Sequence, residues 1–386
     1  MKYLFWFSII AIIYTYIGYP VLIYILSRFY KKPLGGKYIY PNLSIIISAY
    51  NEEKNIEKKI NSLLEIDYPR ERFEILIGSD GSTDKTDEIV SCQSEEKIRF
   101  FRQDTRQGKP GMLNRLVKEA KGEILVFTDA RQRLDKNALN ELVKHFSDKK
   151  VGSVSAALFY ENENHDIKTG AGIGMYWEYE KFIRKSESRM GSMLGATGAL
   201  YAIRRELFPE LPGDLLLDDV YIPMKIVEKG YRAIFDKKAK VYDIVFKDAR
   251  EEFSRRVRTL AGNYQLFFYC RSLFNPLKGK ISWQFFSHKF LRLMVPFLLV
   301  IVFISSLYIV FSPNSNFFYA AILALQIIFY SFAFLGMMNK KKNSFFDVPY
   351  IFCVMNIAAV VGLYKLFSGK QSVLWRKPQE ILQGVA

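Results

Sequence analysis

The segment Phe127-Thr128-Asp129-Ala130-Arg131-Gln132 closes an apolar run, Ile124 to Phe127, with a carboxylate and sets a guanidinium two positions further on. A carboxylate at the carboxyl end of a buried strand faces the ligand cleft of an open α/β sheet. A second acid two residues on would make a divalent-cation site, but Arg131 stands there. Two further places set acids beside apolar runs. Asp80 follows Phe73 to Gly78 within Ser79-Asp80-Gly81-Ser82-Thr83-Asp84, and Asp218-Asp219 follow Leu215-Leu216-Leu217. A carboxylate in such surroundings is costly unless it has a partner or a task. Local roles compete with chemical ones: Asp80 with Ser82 suits a turn, Asn51 a helix cap, and Asp218-Asp219 the start of a helix.

These acids need elements to position them. From Leu43 to Phe159 short β-branched runs (Leu43 to Ser48, Phe73 to Gly78, Ile98 to Phe101, Ile124 to Phe127, Val151 to Ala157) alternate with charged, helix-periodic stretches such as Glu52 to Leu64 and Thr83 to Val90. Strands alternating with helices predict a parallel sheet covered on both faces. The acids Asp80 and Asp129 then share the rim at the strands' carboxyl ends.

Outside this region the chain is apolar. Tyr3 to Ser27 carries no charge, exceeds the apolar core of a signal peptide and meets the need of about 20 residues for a spanning helix. Leu293 to Phe311, Phe317 to Met338 and Phe345 to Phe367 are also long enough, although the last contains Asp347, Asn356 and Lys365. Lysine and arginine outnumber acids 55 to 39, a net charge of +16 over 386 residues. In a chain with such segments, the excess reads as cytoplasmic loops facing anionic lipid, not as a nucleic-acid surface. Lys31-Lys32 and Lys340-Lys341-Lys342 accordingly belong to the cytoplasmic side. Topology stays open at the carboxyl end, where four spans would leave the terminus outside while Lys370, Arg376 and Lys377 favour the inside.

Several classes fall away. No GxGxxG follows the first strand, Gly170-Ala171-Gly172-Ile173-Gly174 having the wrong spacing and place for one, and no Walker-type loop occurs. Cys92, Cys270 and Cys353 are odd in number and scattered, which suits a reducing compartment rather than a disulfide framework or zinc site. The four apolar runs offer a transporter no charged pathway.

The motifs "SAYNE", "SDGSTD", "QGKPGMLN", "FTDAR", "GATGALYAIRR", "LLLDDV" and "RRVRTL", in that order between Leu43 and Leu260, resemble the membrane-bound family 2 glycosyltransferases, relatives of cellulose, chitin and hyaluronan synthases. The resemblance implies an α/β, Rossmann-like GT-A nucleotide-sugar domain joined to transmembrane helices. It divides the chain into an anchor (1–30), a cytosolic GT-A domain (31–248), amphipathic interfacial helices (249–288) and a transmembrane region (289–386). It places Tyr50 near the donor's base, Glu52 near base or ribose, Asp80 on the base edge and Lys109 near the diphosphate. Asp129 matches the first acid of the family's D-x-D and would hold Mg2+ or Mn2+, with Arg131 in the second acid's place, where it would either bind the donor's diphosphate directly or point outward and leave Asp129 to hold the metal with another acid. Asp219 matches the final acid of "TED", the base that takes the acceptor's proton, and Asp218 stands for its Glu. The stretch Ser192 to Tyr201, with Gly195 and Gly198 and just after Gly191, would line the acceptor site. Arg255 and Arg258 fall at the Gln and Arg of the processive relatives' Q-x-x-R-W, with Thr259 in place of the Trp, which speaks against processive polymerisation.

The expected activity is inverting transfer from a nucleotide sugar, UDP-linked by preference, to a growing glycan or lipid-linked acceptor of an envelope polysaccharide. The setting is a multi-pass protein of the plasma membrane with a cytoplasmic catalytic domain, and polysaccharide-assembly proteins are possible partners. The alternatives are a polyprenyl-phosphate glycosyltransferase, which needs no Asp219 base, and a non-catalytic membrane scaffold with a degenerate nucleotide fold.

Overall fold

A computed structural model of the chain describes residues 1–30, 36–161, 171–244, 249–313, 316–338 and 344–374. Lys31, Lys32, Gly170, Lys340 to Lys342, Arg376 and Lys377 lie outside them. The chain divides into two compact units, one of Met1–Leu26, Thr169–Ile183 and Asp248–Gln371, the other of Ser27–Lys168, Arg184–Lys247 and Ser372–Ala386.

The second unit is built on one eight-stranded sheet. Its strands are β1 (Leu43–Ala49), β2 (Phe73–Asp80), β3 (Ile98–Gln103), β4 (Ile124–Phe127), β5 (Arg133–Leu134), β6 (Val151–Glu161), β7 (Tyr201–Arg204) and β8 (Arg232–Ile244), in the spatial order β3-β2-β1-β4-β7-β6-β8-β5. Isoleucine-rich β1 is buried almost throughout, as a central strand covered on both faces requires. It pairs in parallel with β2 and β4, with Ala49 opposite Ser79 and Ile46 opposite Phe127. The register sets the ends of these three strands side by side, so the segments after Ala49, Ser79 and Phe127 form one rim.

The all-parallel expectation holds for β3-β2-β1-β4, where helices return the chain to the same end of the sheet. Beyond β4 the sheet is mixed. β7 runs antiparallel to β4 and β6, β8 runs parallel to β6, and short β5 runs antiparallel to β8. A helix precedes each of β7 and β8, but β7 spans only four residues and β8 carries Asp236, Lys237, Lys238 and Lys240, so neither stands out in the sequence as an apolar run. The pairing of Arg133 with Tyr242 brings the segment after β4 alongside the end of β8.

The helix Ile56–Leu64 buries Ile56, Lys59, Ile60 and Leu63, the one-sided spacing of an amphipathic helix with a lysine among its apolar positions.

In the other unit, four helical stretches are long and apolar enough to cross a membrane: Lys2–Phe29, Lys280–Val310, Phe317–Met338 and Phe345–Phe367. The second begins earlier than its apolar run, because the helix continues through a π-turn at Phe285–Phe290. Phe5, Val302, Ile309 and Tyr319 form a shared core. Glu180, on the helix Ala171–Met190, is buried and pairs with Arg292 and His288. The apolar runs give no sign of this ionic set, because Glu180 comes from a helix outside them.

Candidate active site

The rim of the sheet gathers the chemistry. After β1, Asn51 adopts a left-handed conformation, φ 55°. Its amide donates to Ser82 Oγ at 3.1 Å, while its own Oδ1 accepts from the Thr83 amide at 2.8 Å, tying the loops after β1 and β2 together. Glu52 accepts from Asn55 Nδ2 at 2.6 Å, and its amide donates to Thr86 Oγ1 at 2.7 Å. Both carboxylate oxygens of Asp80 accept backbone amides at 2.8 Å, from Gln107 and Gly108. Gly108 takes φ +88°, where a side chain would be strained, and caps the helix Lys109–Glu119. The Arg106 guanidinium lies over the Tyr50 ring, 3.3 Å from its centroid, a cation–π contact.

At the centre, Lys109 Nζ stands 2.9 Å from Asp129 Oδ1 and 3.4 Å from Asp218 Oδ2. Burial acts to lower the Lys109 pKa, but Asp129 and Asp218 outweigh it and hold the ammonium above the usual lysine range. Burial likewise acts to raise Asp129, and Lys109 overrides it, so the carboxyl stays ionised.

Asp219 begins the helix Asp218–Glu228 with Asp218. Its Oδ2 accepts the Gly198 amide at 2.9 Å. A Cβ on Gly198 would lie 3.2 Å from that oxygen, so the bare backbone gives the approach. Burial, with the neighbouring Asp218 carboxylate, pushes Asp219 up to about 6, a value suited to accepting a proton near neutral pH. Tyr201, fully buried and stacked on Phe127, points its hydroxyl at Asp218 Oδ2 at 3.4 Å.

Arg131 turns toward β8. Its Nε and Nη2 donate to Asp243 Oδ1 and Oδ2 at 2.8 and 2.7 Å, a bidentate pair, and Gln132 Nε2 adds a bond to Oδ2 at 3.1 Å. Beneath the loop, Lys59 Nζ donates to Thr128 Oγ1 at 2.7 Å and to the Gln132 carbonyl at 2.8 Å. Burial pulls Lys59 down to about 7, against the raising effect of Asp129 and Asp243. Asp243, Lys59, Thr128 and Arg106 join the site without being expected from the sequence. A lysine among the apolar positions of one helix was a visible signal for Lys59. Asp243 had only its place between Val241-Tyr242 and Ile244 at the end of β8.

Asp129, Asp218 and Lys109 therefore converge, and Asp219 lies beside Asp218, held by Gly198. Tyr50, Glu52 and Asp80 occupy the loops after β1 and β2, while Arg255 and Arg258 lie on the helix Ala249–Tyr269 of the other unit. Among the described residues, no three His, Cys, Asp or Glu side chains form a ready metal cluster. Asp129, with its side chain 41% exposed, is an open carboxylate. One such ligand fits a Mg2+-type ion that takes its remaining oxygens from a diphosphate and water.

A sheet whose parallel half ends in a rim of acid-bearing loops, continued by a mixed half with a further acid pair at the start of the helix Asp218–Glu228, is the architecture of GT-A glycosyltransferases. Residues 44–211 match the model of glycosyl transferase family 2. Its curated relatives include the beta-monoglucosyldiacylglycerol synthase of Nostoc sp., 27% identical over 52% of this chain and 43% of the relative. They also include the poly-beta-1,6-N-acetyl-D-glucosamine synthase of Staphylococcus aureus, 23% identical over 65% of this chain and 61% of the relative. The chain thus spans about half the length of the relatives it matches. The fold is shared with the mannosyltransferase PcManGT of Pyrobaculum calidifontis, solved with GDP-mannose and Mn2+, at a TM-score of 0.72 and 24% identity over 94% of this chain and 99% of that one.

Proposed function

We propose that the protein transfers a sugar from a nucleotide sugar, UDP-linked by preference, to a growing glycan or lipid-linked acceptor with inversion at the anomeric carbon. Asp219 carries this reading: a half-buried carboxylate with its pKa raised to about 6, fixed by a backbone amide beside the Lys109–Asp129–Asp218 cluster. Direct displacement needs one positioned base, and Asp219 takes that role on the acceptor hydroxyl. Lys109, kept protonated, meets the negative charge that develops on the departing diphosphate. Asp129 would hold Mg2+ or Mn2+ together with the diphosphate, and that cation supplies further neutralisation of the leaving group. Tyr50, Glu52 and Asp80 are assigned to the nucleoside, and Arg255 and Arg258 to the acceptor and diphosphate side. Relatives named for lipid and polysaccharide products support an acceptor of either kind.

The decisive experiment incubates the purified full chain, with Mg2+ or Mn2+, with a panel including UDP-glucose, UDP-N-acetylglucosamine and GDP-mannose, and measures released nucleotide. Turnover of one UDP-sugar well above the rest is expected. Turnover of GDP-mannose alone would overturn the UDP preference, and none with any donor would overturn the reading.

The catalytic unit is assigned to the cytoplasmic face of the plasma membrane. A cysteine placed at Pro313, between two membrane-length helices, should be labelled by an impermeant maleimide in intact cells, and one at Lys341 should not. Labelling of both would break this orientation.

A further inference from the structure

The site has two sides that must be held in register, the donor side at Asp129 and the acceptor side at Asp219. Asp129 lies in the loop after β4 and Asp219 in the first turn of the helix Asp218–Glu228, far apart in the sequence. Beside the β4–β7 pairing and the Lys109 bridge from Asp129 to Asp218, a buried side-chain hydrogen-bonded chain connects them. Lys59 Nζ, on the sheet-facing side of the helix Ile56–Leu64, donates to Thr128 Oγ1 and to the Gln132 carbonyl, so it grips the loop on both sides of Asp129. Thr128 Oγ1, having accepted from Lys59, donates its proton to the Ala199 carbonyl at 2.8 Å. Ala199 follows Gly198, whose amide donates to Asp219 Oδ2.

We propose that Lys59 is a positioning residue that sets the spacing between Asp129 and Asp219 through Thr128 and the Gly198-Ala199 turn. The proposal rests on the reading of those two acids as the donor-side and acceptor-side groups. Three observations support it. Lys59 and Thr128 are 2% and 3% exposed, so neither reaches a substrate and both act through others. A buried ammonium is costly without partners, and here its partners flank one of the acids. Thr128 uses its one proton and an acceptor lone pair in fixed directions, so its hydroxyl links the two loops rather than only filling space.

The test compares the parent with Thr128→Ser, Thr128→Val, Lys59→Met and the double variant Lys59→Met/Thr128→Val in the purified full chain, following kcat, donor KM and thermal stability. Thr128→Val and Lys59→Met should each lower kcat about 10-fold to 100-fold, the scale of a misplacement near 1 Å. Donor KM should stay near the parental value, because neither side chain touches the nucleotide. The double variant should lose little more than the worse single one, since both break the same link. Thr128→Ser keeps the hydroxyl and should restore near-parental kcat. Parental kcat in Thr128→Val, equal losses in the serine and valine variants, additive losses in the double variant, or losses matched by the fraction unfolded would each overturn the proposal. If Lys59→Met does not fold, the serine and valine pair decides alone. Parental kcat in Thr128→Val would remove the coupling and leave transfer intact, whereas a parent without transfer would remove both.

Discussion

Asp219→Asn is expected to lower sugar transfer by about 100-fold to 10,000-fold, the range for removal of a positioned general base, while the nucleotide still binds within a few-fold of the parent. The asparagine keeps the shape and an oxygen for the Gly198 amide, so the change falls on proton transfer alone. The parent's pH profile carries the same assignment. The base works ionised, and burial with Asp218 holds Asp219 at about 6, so kcat should be full above that value and fall as pH drops through it. The stability sign is opposite. A carboxyl whose folded pKa lies above its unfolded value is favoured by the fold in its protonated form, so this share of stability is present below the ordinary carboxylate pKa, is lost as pH rises to about 6 and stays lost above it. The variant should therefore melt no lower than the parent at neutral pH. Calorimetric titration with UDP and timed nucleotide release separate binding from turnover. Near-parental transfer by the variant would take Asp219 out of the mechanism and favour a lipid-phosphate acceptor, which needs no base.

The parallel half of the fold was legible because β1, β2 and β3 each lead into a helix and β4 is a compact apolar run that ends abruptly at Thr128-Asp129. Asp80 and Asp129 stand at such ends, so the sequence alone puts them on one rim. β7 spans only Tyr201–Arg204, too short for a period to show, and β8 is interrupted by Asp236, Lys237, Lys238 and Lys240. What β8 contributes was hidden for the same reason. Arg131 lies two residues from Asp129, but its direction is decided by Asp243, 112 positions away, and only the pairing of β5 with β8 brings them together. Local spacing sets which residues can share a rim, and long-range pairing decides which way they face. Lys59 is an intermediate case. Its place among Ile56, Ile60 and Leu63 marked it as buried, but what it bonds depends on the far end of β4.

Asp129→Ala should remove activity, and EDTA should suppress the parent reversibly, with Mg2+ or Mn2+ restoring it. Asp129 is the open carboxylate of the loop, whereas Arg131 is committed to Asp243 through two bonds of 2.7 and 2.8 Å. A guanidinium held in this way braces the loop from the side. Breaking one partner of a buried pair leaves a charge uncompensated and costs about 3–5 kcal/mol, while replacing the pair with matched neutral groups is far milder. Arg131→Met should therefore lower the melting temperature, and Arg131→Met combined with Asp243→Leu should recover a good part of it. Activity should recover with stability in that double variant, because the brace does not touch the phosphates. Measuring melting temperature and turnover together for the parent and these variants, with and without EDTA, decides the matter. Full parental activity in EDTA, together with no turnover in a double variant that has regained its stability, would show that the guanidinium has taken the metal's part.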